Sequence, residues 1–279
     1  MDFDQTLNGH AVGIVMKELV RRAISTIRSE RIVFEVKVKQ GYGGSMDDVL
    51  TSADKKAQDV YVKSLRECFP NFGIISEEGV EVAGDPYFTI DPLDGTKAFV
   101  RGQSHGVGTM IALVSRGTVL GAFIGDVNTG EIYGFRPGST NVHRLTGLDL
   151  SQKLDADPKV VAGSKDYLLM RDPPDLSGWA VTDVVKAHAN YLVDGGSIGL
   201  WLSRLWKREV VCAHIPPGHE TPWDSSPIIG ISRRLGYLFL RPDRYDWTPF
   251  EIQVPEAVTH RDEDLVIVHK NDVHRLFKI

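Results

Sequence analysis

Apolar positions in the first part of the chain switch between the spacing of a helix and the spacing of a strand. Between residues 7 and 27 they recur every three or four positions, which predicts one long amphipathic helix. Over residues 32–38 apolar and charged residues alternate, as in a half-buried strand, until the glycine-rich stretch 41–45 interrupts the pattern. Capping residues at 51–54 and Pro70 delimit a second predicted helix.

The middle of the chain is rich in strand patterns, and its last part alternates strands with helices. Strands are predicted over residues 73–76, 87–90, 107–114, 119–124 and 131–135, with turn signals that favour a meander of antiparallel strands. After residue 158 the pattern predicts strands at 160–162 and 210–214 and helices at 198–206 and 225–235. These elements predict an α/β (α+β) protein with helices on the faces of layered sheets. We expect an N-terminal α+β half, residues 1–150, and a C-terminal α/β half, residues 151–279, that share an interface.

Composition narrows the classes of function. Of the 279 residues 42% are hydrophobic and 25% are charged, which is typical of a folded protein and not of a disordered one. The net charge of -5 argues against a nucleic-acid polymer as partner. Cys68 and Cys212 are the only cysteines, which fits a reducing compartment. Since we find no secretion-signal pattern and no apolar stretch of about 18 residues, we expect a cytoplasmic protein that does not engage a membrane.

A short acidic motif offers the clearest chemistry in the sequence. Asp91-Pro92-Leu93-Asp94-Gly95-Thr96 begins where the predicted strand 87–90 ends, at an edge where a sheet presents its loops. Since the proline fixes its own φ and the glycine permits a tight corner, the turn can aim Asp91, Asp94 and the Leu93 carbonyl at one point. Such oxygen ligands suit Mg²⁺ better than Zn²⁺. The simpler interpretation, in which these acids close turns and cap helices, stays open on the motif alone.

Four segments, in this order along the chain, resemble the inositol monophosphatase superfamily. They are residues 48–54, Ser76-Glu77-Glu78-Gly79, residues 91–96 and Trp223-Asp224-Ser225-Ser226. The resemblance implies a layered αβαβα sandwich of the inositol monophosphatase and fructose-1,6-bisphosphatase type. It also implies two or three Mg²⁺ ions between the two halves, a homodimer and inhibition by Li⁺.

The same resemblance implies roles for individual residues. The expected metal ligands are Glu77, Asp91, the Leu93 carbonyl, Asp94 and Asp224. Asp48 and Thr96 are expected to form a hydrogen-bonded pair that orients the attacking water, with Glu77 as a further catalytic residue. Substrate contacts are expected from Asp94, Gly95, Thr96, Ser197 and Glu220, with the N–H groups of Gly95 and Thr96 facing the phosphate. Metal ions held in this way activate water and neutralise charge on the leaving oxygen.

Within this family the sequence leaves the substrate open. At Lys97 the chain resembles the branch that removes the 3′-phosphate of 3′-phosphoadenosine 5′-phosphate. At Ala98 and Gly199 it departs from the pattern of that branch. The loop before the Trp-Asp motif matches cleanly neither the pattern of inositol phosphatases, which have an acid there, nor that of nucleotide phosphatases, which have an arginine. Glu220 or His219 is therefore the candidate for a contact with the leaving group.

Three functions follow from these patterns. The leading hypothesis is a phosphatase for a small phosphorylated metabolite, inositol monophosphate or a similar polyol phosphate. The alternatives are a 3′(2′),5′-bisphosphate nucleotidase and a non-catalytic phosphate-binding or interaction protein on the same scaffold. Lys37, Lys39 and the loop 41–45 form either a lid that contacts phosphate or a third metal, or a solvated strand end and a flexible loop.

Overall fold

The computed structural model of the chain describes residues 8–42, 44, 48–148, 150–154, 167–188, 190–244 and 246–277. Within them the helices are α1 (Gly9–Glu30), α2 (Ser52–Cys68), α3 (Thr96–Val100), α4 (Trp179–Lys186), α5 (Ile198–Trp206), α6 (Pro222–Arg234) and α7 (Val273–Leu276). Helix α1 begins where the Asn8 side chain accepts hydrogen bonds from two backbone N–H groups of the first turn. Helix α2 begins with a capping box formed by Thr51 and Asp54.

The first large sheet is built from the middle of the chain. The described strands between residues 36 and 153 are β1 (Val36–Lys39), β2 (Asp48–Thr51), β3 (Gly73–Ser76), β4 (Glu81–Val82), β5 (Tyr87–Asp94), β6 (Gly108–Ser115), β7 (Thr118–Asp126), β8 (Ile132–Phe135), β9 (His143–Leu145) and β10 (Ser151–Lys153). Strands β1 and β2 pair with each other alone, and the other eight form one sheet in the order β10-β9-β8-β7-β6-β5-β3-β4. All its neighbours are antiparallel except β3 and β5, which are parallel.

The second large sheet comes from the C-terminal part. The remaining strands are β11 (Tyr167–Met170), β12 (Asn190–Val193), β13 (Cys212–Ile215), β14 (Gly218–Glu220), β15 (Tyr237–Asp243), β16 (Asp246–Pro249), β17 (Thr259–Arg261) and β18 (Leu265–His269). Six of them form a sheet in the order β12-β11-β13-β18-β15-β16, and β14 pairs with β17 in a small separate sheet.

Apolar side chains sort these elements into five layers. One cluster joins α1 and α2 to a face of the first sheet, and includes Met16, Tyr61 and Phe88. A second cluster holds α5 and α6 between the two sheets, around Trp201 and Trp206. A third packs α4 and α7 on the outer face of the second sheet. The order α, β, α, β, α confirms the sandwich that the sequence resemblance implied, and α5 and α6 give the two halves a common core.

Most of the predicted elements are present, with shifted ends. The strand predicted at 32–38 occupies only Val36–Lys39. Helix α6 begins earlier than residue 225, because Thr221 caps it and Pro222 fits its first turn, where no N–H is required. The prediction for 160–162 falls outside the described residues. Strand β10 joins the first sheet beyond residue 150, and the division at that residue stays a prediction.

The structure also bears on two expectations drawn from composition. No helix in the described part of the chain combines the length and the apolar character needed to cross a membrane. Both cysteines are free thiols, with Cys68 exposed and Cys212 buried.

Candidate active site

Strand β5 brings Asp91 and Asp94 within reach of each other. Side chains three positions apart in a regular strand point to opposite faces of the sheet. Here the register with β6 shifts between the two aspartates, and Pro92, which has no N–H to donate, lies in the irregular stretch. Both aspartates are buried. The irregularity therefore lets a single strand end supply two acids to one site.

Gly95 allows two other loops to approach the end of β5. Its φ is +88°, and a Cβ at this position would lie 2.2 Å from the Gly106 carbonyl oxygen and 2.6 Å from the Ser197 nitrogen. Only glycine fits this backbone without strain. Ser197 N–H in turn donates to the Gly106 carbonyl at 2.8 Å. The glycine thus places the N-terminus of α5 directly beside the acids.

Asp94 caps that helix. Its carboxylate accepts hydrogen bonds from the N–H groups of Ile198 and Gly199, each at 3.0 Å, and from the Ser197 hydroxyl. Burial raises the pKa of Asp94, although these hydrogen bonds act in the opposite direction. The substrate contact expected of Ser197 stays a prediction. In this structure its hydroxyl is fully buried and donates to Asp94, so Ser197 positions that carboxylate.

Asp224 reaches the same point from the first turn of α6. Its N–H donates to the Thr221 hydroxyl at 3.2 Å, and that hydroxyl donates to the Asp224 carboxylate at 2.8 Å. One carboxylate oxygen each of Asp91, Asp94 and Asp224 lies within 4.8 Å of the other two. The two halves of the chain therefore contribute to one cluster, although residues 94 and 224 are far apart in sequence.

The protein alone does not stabilise this cluster as anions. Burial raises the pKa of Asp91 well above its usual range, and burial together with Asp94 raises that of Asp224 to about 7. Oδ1 of Asp91 is buried and has no hydrogen-bond partner among the described residues. An orphaned oxygen in an all-oxygen donor set fits a hard divalent cation such as Mg²⁺.

Glu77 and Lys39 form the outer end of the acidic site. Glu77 follows β3, is hydrogen-bonded to Asp91, and burial raises its pKa to about 8. Lys39 Nζ lies 3.1 Å from a Glu77 carboxylate oxygen, 3.0 Å from one of Glu78 and 3.9 Å from one of Asp48. Burial acts to lower the pKa of Lys39, but Glu77 and Glu78 raise it overall. The lysine is therefore a fixed positive charge among these acids.

The Thr96 hydroxyl has a different partner from the one expected. It lies 3.1 Å from the Asp54 carboxylate and 3.1 Å from the Leu93 carbonyl oxygen, and can donate to either. Asp48 lines the same cavity, but its carboxylate accepts from its own neighbour Val49 N–H at 3.0 Å. The expected Asp48–Thr96 pair is thus replaced by Asp54–Thr96, because α2 directs the fully buried Asp54 at the end of β5. Burial raises the pKa of Asp54 to about 6.

No separate sequence signal marks Asp54 as a site residue. An acid three residues after Thr51 is the signature of a capping box, and Asp54 does accept from the Thr51 N–H at 2.8 Å. Its other carboxylate oxygen contacts the hydroxyl of Thr96, which lies 42 residues further along the chain. An acid that is fully buried in the first turn of a helix is the structural sign of such a contact.

These residues open into one cavity of about 680 Å³ between the two halves. Its acidic wall is formed by Asp48, Glu77, Asp91, Asp94 and Asp224, with Leu93, Gly95 and Thr96 beside them. Its remaining walls include basic side chains that sequence analysis did not assign to a binding role: Arg101, His105 and Arg171. Arg171 holds the Gly196 carbonyl through both terminal nitrogens, each at 3.1 Å.

The two candidates in the loop before α6 have different surroundings. Glu220 accepts a hydrogen bond from Arg261 Nε at 2.8 Å across the β14–β17 pair, and it is not among the described residues that line the cavity. The substrate contact expected of Glu220 stays a prediction, and in this structure its carboxylate forms an ion pair with Arg261. His219 lines the cavity, and its ring lies 6.0 Å from that of Tyr42.

Comparisons with known proteins agree with this geometry. Residues 10–191 match the model of the inositol monophosphatase family. The chain is 34% identical over 89 residues to an inositol-1-monophosphatase of Rhizobium meliloti, a match that covers 31% of this chain and 33% of the relative. It is 30% identical over 197 residues to a histidinol-phosphatase of Chlorobaculum parvum, covering 68% of this chain and 71% of the relative.

Solved structures show the same fold. An IMPase/NADP phosphatase, crystallised with Mg²⁺ and phosphate, superposes with a TM-score of 0.74 at 16% identity, and the match covers 95% of this chain and 92% of that one. The matched segments span about a third of the length of the first curated relatives, whereas the structural match spans nearly the whole chain. The family match, the five-layer sandwich and the acidic cluster between its halves agree: the chain belongs to the inositol monophosphatase family.

Proposed function

We propose that this protein is a Mg²⁺-dependent phosphatase that hydrolyses a small phosphate monoester. One observation carries the proposal: three aspartates from two halves of the chain converge with a buried, unpartnered oxygen among them. Buried carboxylates repel one another, so a cluster of this kind is costly unless a cation joins it. The fold neighbour crystallised with Mg²⁺ and phosphate supports the choice of ion.

The metal-holding residues in this proposal are Asp91, Asp94, Asp224, Glu77 and the Leu93 carbonyl. All five line the cavity. When bound, Mg²⁺ supplies a Lewis acid that lowers the pKa of water and offsets charge on the phosphate oxygens. Two or three ions would fit the number of carboxylates, and each would be counted by metal titration.

The protein's own groups orient the reactants. Thr96, with its hydroxyl on Asp54, accepts a hydrogen bond from the attacking water and passes a proton towards the Asp54 carboxylate. Asp54 suits this step because burial keeps its pKa near 6, close to neutral pH. Asp48 lines the same cavity, but its carboxylate accepts from the Val49 N–H, so this step does not use it as the proton acceptor. Gly95, Thr96 and Asp94 contact the substrate at the start of α3, where N–H groups favour an anion.

For the substrate we propose a polyol phosphate such as inositol monophosphate, in line with the family. A specific observation favours the alternative, a 3′(2′),5′-bisphosphate nucleotidase: the basic side chains Arg101, His105 and Arg171 line the cavity. A second anionic group on the substrate would complement them. The histidinol-phosphatase relative shows that phosphate esters of other small metabolites belong in the same panel.

A phosphate-release assay tests the proposal. The panel contains inositol 1-phosphate, glycerol 2-phosphate, histidinol phosphate, 3′-phosphoadenosine 5′-phosphate and NADP, each with Mg²⁺ and with a chelator. We expect Mg²⁺-dependent release from at least one compound, loss of that release in Asp91→Asn, and retention in Asp59→Asn, which alters an exposed acid of α2. Phosphate binding without release from any compound would support the non-catalytic alternative. Size measurement in solution tests the proposed homodimer, and addition of Li⁺ tests the proposed inhibition.

A further inference from the structure

Lys39 lies in the acidic site in a way that the proposed chemistry does not use. Its ammonium contacts carboxylates of Glu77 and Glu78 and approaches that of Asp48. A lysine ammonium carries three N–H donors around one point charge, which matches three surrounding acids. The side chain is about three-quarters buried, with 26% of its surface exposed, so this is not a solvated surface pair.

The position of this ammonium is set by the backbone. In the β1–β2 pair Lys39 lies opposite Asp48, and the alternation of the strand directs Lys37 and Lys39 to the same side. Glu77 and Glu78 follow β3, which is paired in parallel with β5, the strand that carries Asp91. The β1–β2 pair therefore places the positive charge of Lys39 at the outer end of the same acidic site.

The acids of the site form two sets, one around the Lys39 ammonium and one at the inner end. Among the described residues the convergent group contains Asp91, Asp94 and Asp224, and Glu77 is not a member. Glu77 instead connects the two ends, since it is hydrogen-bonded both to Asp91 and to Lys39. A divalent ion at the outer end would need the oxygens that Lys39 already contacts, and it would be repelled by the ammonium.

We propose that Lys39 is the resident cation of the outer end of the acidic site, and that it excludes a divalent ion from the position beside Glu77 and Glu78. Divalent ions then bind only at the inner end, among the three aspartates, with Glu77 contributing from the side that contacts Asp91. Lys39 is in this sense a positioning residue: it orients Glu77 and limits the number of ions. The inference rests on the proposed metal site but not on the identity of the substrate.

The test counts bound Mn²⁺ per chain by equilibrium dialysis, with Mn²⁺ as a probe that paramagnetic resonance can quantify. We expect Lys39→Met to bind one more Mn²⁺ per chain than the wild type. Lys39→Arg keeps the charge and should bind the wild-type number. Lys37→Met removes a charge two positions earlier on the same strand and should also bind the wild-type number. If Lys39→Met requires metal to fold, Lys39→Gln purified with Mn²⁺ gives the same count.

Melting in the absence of metal gives a second measurement. Without metal, Lys39→Met should melt at a lower temperature than the wild type and Lys37→Met should not, and Mn²⁺ should close the gap. An equal number of ions in the wild type and Lys39→Met would overturn the inference, as would an extra ion in Lys37→Met. A wild type that binds no Mn²⁺ would overturn the metal site itself, which separates the two failures.

Discussion

The contact between Thr96 and Asp54 predicts separate effects on kcat and on the free energy of unfolding. Three variants can measure them. In Thr96→Val the side chain keeps its shape but loses the hydroxyl, which lies 3.1 Å from the Asp54 carboxylate. Loss of a positioned proton acceptor lowers kcat by about 10²–10⁴-fold. The expected loss of stability is about 1–3 kcal/mol, because the fully buried Asp54 keeps only its Thr51 hydrogen bonds.

The matched pair Asp54→Asn and Asp48→Asn identifies the partner of Thr96. The structure predicts that Asp54→Asn lowers kcat by a factor similar to that of Thr96→Val, with little change in Mg²⁺ affinity. Asp48→Asn should have a much smaller effect, since the Asp48 carboxylate bonds locally to Val49. The assay is steady-state phosphate release on the best substrate, with melting measured on the same samples.

Two results would show that the contact between Thr96 and Asp54 is not catalytic. If Thr96→Val retains near-normal kcat with a lowered melting temperature, the hydroxyl has a structural role only. If Asp48→Asn loses as much activity as Thr96→Val while Asp54→Asn is nearly normal, the pair implied by the sequence resemblance forms in the working enzyme and the contact to Asp54 is not the catalytic one.

Three further predictions follow from the same site. Asp94→Asn should abolish Mg²⁺-dependent turnover and the rise in melting temperature that Mg²⁺ gives, measured by calorimetry; a normal rise would exclude Asp94 as a ligand. Because Glu77 and Asp224 have folded-state pKa values raised to about 8 and 7, their protonation stabilises the metal-free fold below about pH 4 and this stability is lost as pH rises through 7 and 8. Metal-free protein should therefore melt at a lower temperature at pH 8 than at pH 5, with Mg²⁺ restoring it at pH 8; a flat profile would contradict the assigned burial. Gly95→Ala should destabilise by about 3 kcal/mol or more, since its Cβ would meet backbone at 2.2 Å, whereas Gly102→Ala, with a φ of +65° and open space, should cost about 1 kcal/mol; equal losses in urea unfolding would show that the crowding is relieved.

Local patterns predicted the layered class and the acids of β5, because each depends on a short stretch of chain. Asp91 and Asp94 stand beside a proline and a glycine that make the strand end irregular, and this can be recognised in sequence. Asp224 could be joined to them only through the family resemblance, since no local pattern links residues so far apart. Its arrival at the cluster depends on α6 packing between the two sheets.

The differences from the sequence-based expectations have a common physical origin. The partner of Thr96 and the contacts of Ser197 and Glu220 depend on residues more than 40 positions away in the chain. The Ser197 hydroxyl donates a hydrogen bond to Asp94, and Glu220 forms an ion pair with Arg261. A hydroxyl or carboxylate that ends a loop looks the same in sequence whether it faces a substrate or a neighbouring side chain.

Anomalous diffraction from crystals soaked in Mn²⁺ will show whether Asp91, Asp94 and Asp224 hold a divalent ion. We expect an anomalous peak within about 2.0–2.3 Å of an oxygen from each of the three carboxylates, a distance typical of small hard cations. The peak should be absent from crystals of Asp91→Asn soaked in the same way. Crystals of the wild type that show these carboxylates turned apart, with no peak between them, would show that the three aspartates hold no metal ion.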